Sequence, residues 1–156
     1  MFSPGLTVVI FLLFLVIVTI AMGVRLVPQG YKYVVQRLGK YHTTLAPGLN
    51  IIIPYMDTVA FKVTTKDIVL DIPSQDVITR DNAVIITNAV AYINIVSPEK
   101  AVYGVEDYRI AIQTLVQTSL RSIVGEMDLD DALASRDMIK SKLKEAISDD
   151  ISDWGI

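Results

Sequence analysis

The stretch AVIITNAVAYINIVSPEKAVYGVEDYRIAIQTLVQTSLRSIVG, residues 83–125, changes its hydrophobic period partway along. Residues 83–95 are apolar and β-branched. They read as the second arm of a hairpin whose turn is Arg80-Asp81-Asn82 and whose first arm is Val77–Thr79. After Val96 the spacing lengthens. Ser97-Pro98 supplies a cap and a first-turn proline for a short helix through Tyr103. Asp107 starts a longer one, in which Tyr108, Ile112, Leu115, Val116, Ser119 and Ile123 recur at intervals of three and four before Gly125 stops it. Strands before this switch and helices after it predict an α+β domain.

Towards the C-terminus, Asp128 and Ser135 sit as caps of two further helices, the second with an apolar stripe of Ile139, Leu143, Ala146, Ile147, Ile151 and Trp154. Towards the N-terminus, short runs alternate with turns. Tyr31–Leu38 reads as a strand ended by Gly39, and Leu49–Ile53 as an apolar run between Pro47-Gly48 and Pro54. Val59–Thr64 and Ile68–Ile72 alternate, the latter ended by Pro73. Tight turns between about six strands predict an antiparallel sheet.

The chain opens on GLTVVIFLLFLVIVTIAMGV, Gly5–Val24, with no ionisable side chain before Arg25. Twenty residues at 1.5 Å each span about 30 Å, the hydrocarbon thickness of a bilayer. The length of the run and the lack of Lys and Arg at its start argue against a cleaved signal, the alternative for which Ala21 and Gly23 supply a small-x-small pair. Residues 1–25 are therefore expected to form a transmembrane anchor, and 26–156 the domain it holds. Arg25, Lys32, Arg37 and Lys40 all follow the span and precede the first acid, Asp57, so the positive-inside rule predicts a cytoplasmic domain. Arg25 and Lys32 are candidates for contact with anionic headgroups. The uncharged segment LAPGLNIIIPY, residues 45–55, is expected to dip towards the headgroup boundary through Leu49, Ile51 and Ile52, or else to form a buried strand.

The chain carries 17 Asp and Glu against 14 Lys and Arg, and every acid lies at or after Asp57. Such an acidic body lacks the basic stripe that nucleic acid requires. With no cysteine, disulfides, thiolate nucleophiles and Cys-based zinc sites are excluded. Its eight glycines never form a phosphate-binding loop or a nucleophile elbow. His42, the one histidine, lies in Lys40-Tyr41-His42-Thr43-Thr44 without a catalytic or metal-ligand context. The clusters Asp128/Asp130/Asp131 and Asp149/Asp150/Asp153 lie at helix ends and read as solvated acids. No catalytic, cofactor or metal residue is assigned.

Six collinear stretches, VPQGYKYVVQRLGKY, LAPGLNIIIPYMD, LDIPSQDVITRDNA, YGVED, QTSLRSIVG and DWGI, resemble the stomatin/prohibitin/flotillin/HflK-HflC (SPFH, or band 7) family, most of all its bacterial stomatin-like, QmcA-type members. The resemblance implies a non-enzymatic scaffold, anchored by one N-terminal helix in the cell membrane, here a bacterial inner membrane. Copies would assemble into large homo-oligomers that organise microdomains and restrain membrane partners such as ATP-dependent proteases. Arg121 would bridge to a neighbouring subunit, and Trp154 would pack against the sheet or at that contact. The strand and coiled coil that follow Trp-Gly-Ile in the family are expected to be missing here. A monomeric membrane-tethered adaptor and a carboxylate-dependent hydrolase using Asp128 or Asp131 are the alternatives.

Overall fold

The computed structural model describes residues 4–156, the side chains of Pro4, Leu6 and Thr7 excepted. The charge-free start Met1–Ser3 lies outside the described residues. Two compact units form, Met1–Thr65 and Lys66–Ile156. Among the described residues there are five helices and seven strands, in an α+β arrangement.

In the first unit, helix α1 runs from Pro4 to Gly23 and strand β1 from Val24 to Val27. Strands β2 (Tyr31–Arg37), β3 (Lys40–Leu45), β4 (Gly48–Ile51) and β5 (Asp57–Thr64) follow. Among the described residues, no helix is long and apolar enough to cross a membrane. Val24 and Arg25, read as the end of the apolar run, instead begin β1. It pairs antiparallel with β4, Val24 opposite Ile51 and Val27 opposite Gly48. Gly23 explains the switch: the Ile52 amide donates to its carbonyl at 2.8 Å, and a β-carbon there would collide with the Ile52 carbonyl. Strand β2 lies between β3 and β5, all antiparallel. Val27, Val35, Leu45 and Ile52 make the core of this unit.

The second unit holds strands β6 (Ile68–Ile78) and β7 (Val84–Ile93), then helices α2 (Pro98–Tyr103), α3 (Tyr108–Gly125), α4 (Leu129–Ala134) and α5 (Arg136–Asp153). The expected single sheet is thus three separate antiparallel sheets among the described residues. Pro73 does not end its strand. β6 runs through it by a register shift between Ile72 and Gln75, where a residue without an N–H falls outside the ladder. Asp107 caps α3 as expected, accepting from the amides of Arg109 and Ile110. Asp128 and Ser135 occupy the cap positions of α4 and α5, but neither side chain makes a cap bond. Ile112, Val116, Leu120 and Val124 form the buried face of α3 against Leu70, Ile72 and Val77 of β6. Of the stripe expected on α5, Ile139, Leu143, Ile147 and Ile151 are half-buried and Ala146 is exposed, and no residue of that helix is buried.

Candidate membrane-contact site

An antiparallel ribbon places directly opposed residues on one face. In β1 and β4, Val24 faces Ile51 and Leu26 faces Leu49. All four point outward, with Leu26, Leu49 and Ile51 exposed by 74%, 70% and 72%. The ribbon leaves directly from the end of α1, so this face begins at the foot of that helix.

The turn after β4 extends the apolar surface. A β-carbon on Gly23 would lie 3.6 Å from Pro54 Cδ, so the Ile53–Met56 turn also sits at the foot of α1. Tyr55 there is 73% exposed, and Ile53 and Met56 are exposed as well. The Leu38 amide donates to the Met56 carbonyl at 3.2 Å, bringing the β2–β3 turn alongside. Leu38 is 79% exposed and stands at a φ of +50°, where a branched side chain is strained and Gly or Asn is usual. Three separated segments therefore converge on one apolar collar.

A single ion pair holds the collar's turns. Arg37 closes β2 and Asp57 opens β5, opposite each other in register. The guanidinium donates to both carboxylate oxygens, Nε to Oδ1 at 2.7 Å and Nη2 to Oδ2 at 3.0 Å. The Ile53 amide donates to the same carboxylate at 2.9 Å. These bonds, the guanidinium's foremost, hold the buried Asp57 carboxyl at about 2, below its usual 3.8. No other acid lies in these segments, and their exposed cations are Arg25 of β1 and Lys40, which opens β3 after the Leu38-Gly39 turn.

Of the residues singled out from sequence, the structure brings Leu49 and Ile51 together on the exposed face. Ile52 is buried in the core cluster instead. Arg25 is exposed but lies on the opposite face of the ribbon, across from Asn50. Lys32 is half-buried in β2, opposite Val63. Lys62 of β5 rests over the Tyr33 ring at 5.4 Å. Sequence reasoning missed Leu26, Leu38 and Met56, whereas Val24 was expected at the end of the anchor and Tyr55 at the end of the uncharged segment 45–55. Only Leu26 carried a usable signal, being an apolar residue just beyond Arg25 that a turn prediction leaves unburied.

In the second unit, Arg121 donates from Nη2 to Gln75 Oε1 at 2.7 Å, and Trp154 is half-buried against the cluster around Ile72 and Ile112. Asp128 takes a two-point ion pair from Arg80, with Nε to Oδ1 at 3.0 Å and Nη2 to Oδ2. That pairing ties the start of α4 to the turn after β6. His42 is exposed on β3. Among the described residues, no group of three or more His, Cys, Asp or Glu is arranged to hold a metal ion.

Comparison with known proteins adds three findings. Residues 25–156 match the profile described as SPFH domain / Band 7 family. Uncharacterised proteins of two archaea are 44% identical: one of Methanothermobacter thermautotrophicus over 124 residues (80% of this chain, 39% of that protein), one of Methanocaldococcus jannaschii over 137 (88% and 68%). Human stomatin-like protein 2, mitochondrial, is 39% identical over 133 residues, 85% of this chain and 37% of that protein. The chain thus spans well under half the length of two of these relatives.

Proposed function

We propose, from the premise that this chain belongs to the SPFH domain / Band 7 family, that it is a membrane-associated scaffold without enzymatic activity. In this reading α1 is a single-pass anchor. Its backbone helix is 20 residues long, and the sequence from Gly5 to Val24 is uncharged. The collar at its foot seats the first unit in the headgroup boundary on the cytoplasmic side. The collar is the observation that carries the proposal. Exposed apolar side chains from three segments, free of exposed acids and gathered at the end of an apolar helix, lose nothing in water-free surroundings and gain by leaving water.

In this reading residues 1–25 hold the anchor, whose helix ends at Gly23, and residues 26–156 hold the SPFH domain. Assembly into large homo-oligomers and restraint of membrane proteins such as ATP-dependent proteases complete the proposal. Arg121 has guanidinium donors beyond the one given to Gln75 to offer a neighbouring copy, and Trp154 lies on the same unit. The test is sizing of the full chain extracted in mild detergent, together with labelling of a cysteine introduced at Ser97 by an impermeant maleimide. An assembly of many copies, labelled only after the cells are opened, is the expected result. A monomer at micromolar concentration removes the scaffold, and labelling of intact cells reverses the orientation.

A further inference from the structure

The β2–β3 hairpin turns on Leu38 and Gly39, at φ of +50° and +85°, so Arg37 and Lys40 stand directly opposite each other at its base. Like charges opposed across a hairpin repel. Asp57, on the far side of β2, answers only one of them. It takes Nε and Nη2 of Arg37 and leaves Nη1 without an acceptor among the described residues. Lys40 is exposed, and its amine is in no hydrogen bond or ion pair among the described residues.

A third basic side chain is brought to the same place. Between Val35 and Gln36 the β2–β3 register shifts: Val35 pairs with Thr43 and Gln36 with Tyr41, which leaves His42 as the extra residue of a bulge. A bulge re-aims the side chain it inserts. The His42 ring comes near enough to Asp57 for its charge to be among those that hold that carboxyl low. It is exposed and makes no hydrogen bond among the described residues. The charged and titratable groups around it are Arg37 of β2, Asp57 of β5, and Lys40 and Tyr41 of its own strand, where the Tyr41 hydroxyl shares a hydrogen bond with Thr44 Oγ1 at 3.2 Å. Three bases thus surround one acid, and that acid is already satisfied.

Depth tells which anion can reach them. Leu38, at the tip of the hairpin, is 79% exposed and is tied to the collar by the bond from its amide to the Met56 carbonyl. Lys40 and His42 follow it along β3, roughly 7 and 13 Å back at about 3.3 Å per residue. Apolar groups of an interfacial segment sit about 5–10 Å into the boundary between headgroups and acyl chains. With Leu38 at that boundary, the Lys40 amine lies level with the phosphates and the His42 ring just behind it.

We propose that Lys40, His42 and the free Nη1 of Arg37 bind the phosphate of an anionic phospholipid whose acyl chains lie beside Leu38. This rests on the membrane-seated collar and adds to it a choice of lipid.

The test uses the full chain with a fluorophore on Tyr55→Cys, reconstituted at neutral pH in phosphatidylcholine vesicles. These hold a trace of acyl-chain-labelled acceptor, either phosphatidylglycerol or phosphatidylcholine. Energy transfer is expected to show phosphatidylglycerol enriched about fivefold over phosphatidylcholine, the effect of one cation at the headgroups. Lowering the pH from about 8 to about 5, the range in which histidine ordinarily gains its proton, should raise the enrichment severalfold, since Asp57, held at about 2, stays ionised. Lys40→Gln with His42→Gln brings the two acceptors to parity, and Lys40→Arg with His42→Lys restores the preference without its pH dependence. Equal transfer to both acceptors in the parent, or a preference that survives the double glutamine variant, overturns the proposal and leaves the collar seated. A preference erased by glycerol phosphate at constant ionic strength assigns the site to a soluble phosphate and refutes the lipid. Transfer to neither acceptor removes the seated collar and this proposal with it.

Discussion

Replacing Leu26 and Leu49 together by glutamate separates the collar's role from the stability of the fold. The two face each other across the β1–β4 ribbon and are 74% and 70% exposed. Fully burying a leucine is worth ~1.5–3 kcal/mol, and about three quarters of that remains to be gained at each position. Seating the pair in lipid therefore contributes roughly 3 kcal/mol, about a hundredfold in the ratio of seated to lifted first unit. The glutamates carry charge as well, so this is a lower bound. In water the same substitutions remove almost no packing and should change unfolding stability by under about 0.5 kcal/mol per site. Because the chain has no cysteine, a single one introduced at Tyr55 can carry a fluorophore in vesicles. In the parent, nitroxide-bearing lipid should quench it and aqueous iodide should not. In the double variant the pattern should reverse, with the thermal transition unmoved. A parent label open to iodide, or a variant still quenched from the lipid side, refutes the argument.

Two other perturbations report on how the collar is held. The Asp57 carboxyl is depressed to about 2 from 3.8, chiefly by Arg37. Its contribution to stability is therefore present above about pH 4 and lost as pH falls towards 2. Acid titration followed by tyrosine near-ultraviolet dichroism should show that loss, and Asp57→Asn should flatten it; an unchanged acid slope would count against the clamp. Gly23→Ala drives a β-carbon into the Ile52 carbonyl, so the Ile52 amide, bonded to Gly23 at 2.8 Å, should exchange at least about tenfold faster. Unaltered exchange there would mean the joint adapts without opening.

Local chemistry was legible where it is self-contained. The Asp107 cap and the Pro98 helix start are decided by neighbours within a turn and stand where the sequence put them, whereas Ser97 precedes α2 without a side-chain cap bond and Gly125 is the last residue of α3, with Glu126 at its cap position. What sequence alone could not supply depends on distant partners. Val24–Val27 continues an apolar helical run and becomes a strand because residues 48–51 pair with it. Pro73 ends a strand by local rule, yet β6 continues because the partner β7 absorbs the bulge. The collar was half visible. The uncharged run 45–55 exposed Leu49 and Ile51 as candidates, and strand alternation alone would have set Ile52 on the opposite, buried side. Leu38 joins only through the bond from its amide to the Met56 carbonyl, which no spacing in the sequence announces.

Exposed apolar area is not confined to the first unit, and the contrast is what ties the lipid reading to one place. The outer face of β6 and β7 also exposes Val69, Ile78, Val84, Ile86, Val90 and Tyr92. On that face, however, Asp71 stands directly opposite Val90 and Asp76 directly opposite Ile86. Seating it in lipid would strip two exposed carboxylates of water, a cost of several kcal/mol each that exceeds the gain from their apolar neighbours. At the collar the only carboxylate, Asp57, is already turned inward and satisfied by Arg37 and the Ile53 amide. The same hydrophobic side chains therefore have different destinations. Where carboxylates are interleaved, the surface stays in water or meets protein; where the one carboxylate is folded away against Arg37, no buried acid opposes entry into the bilayer's edge.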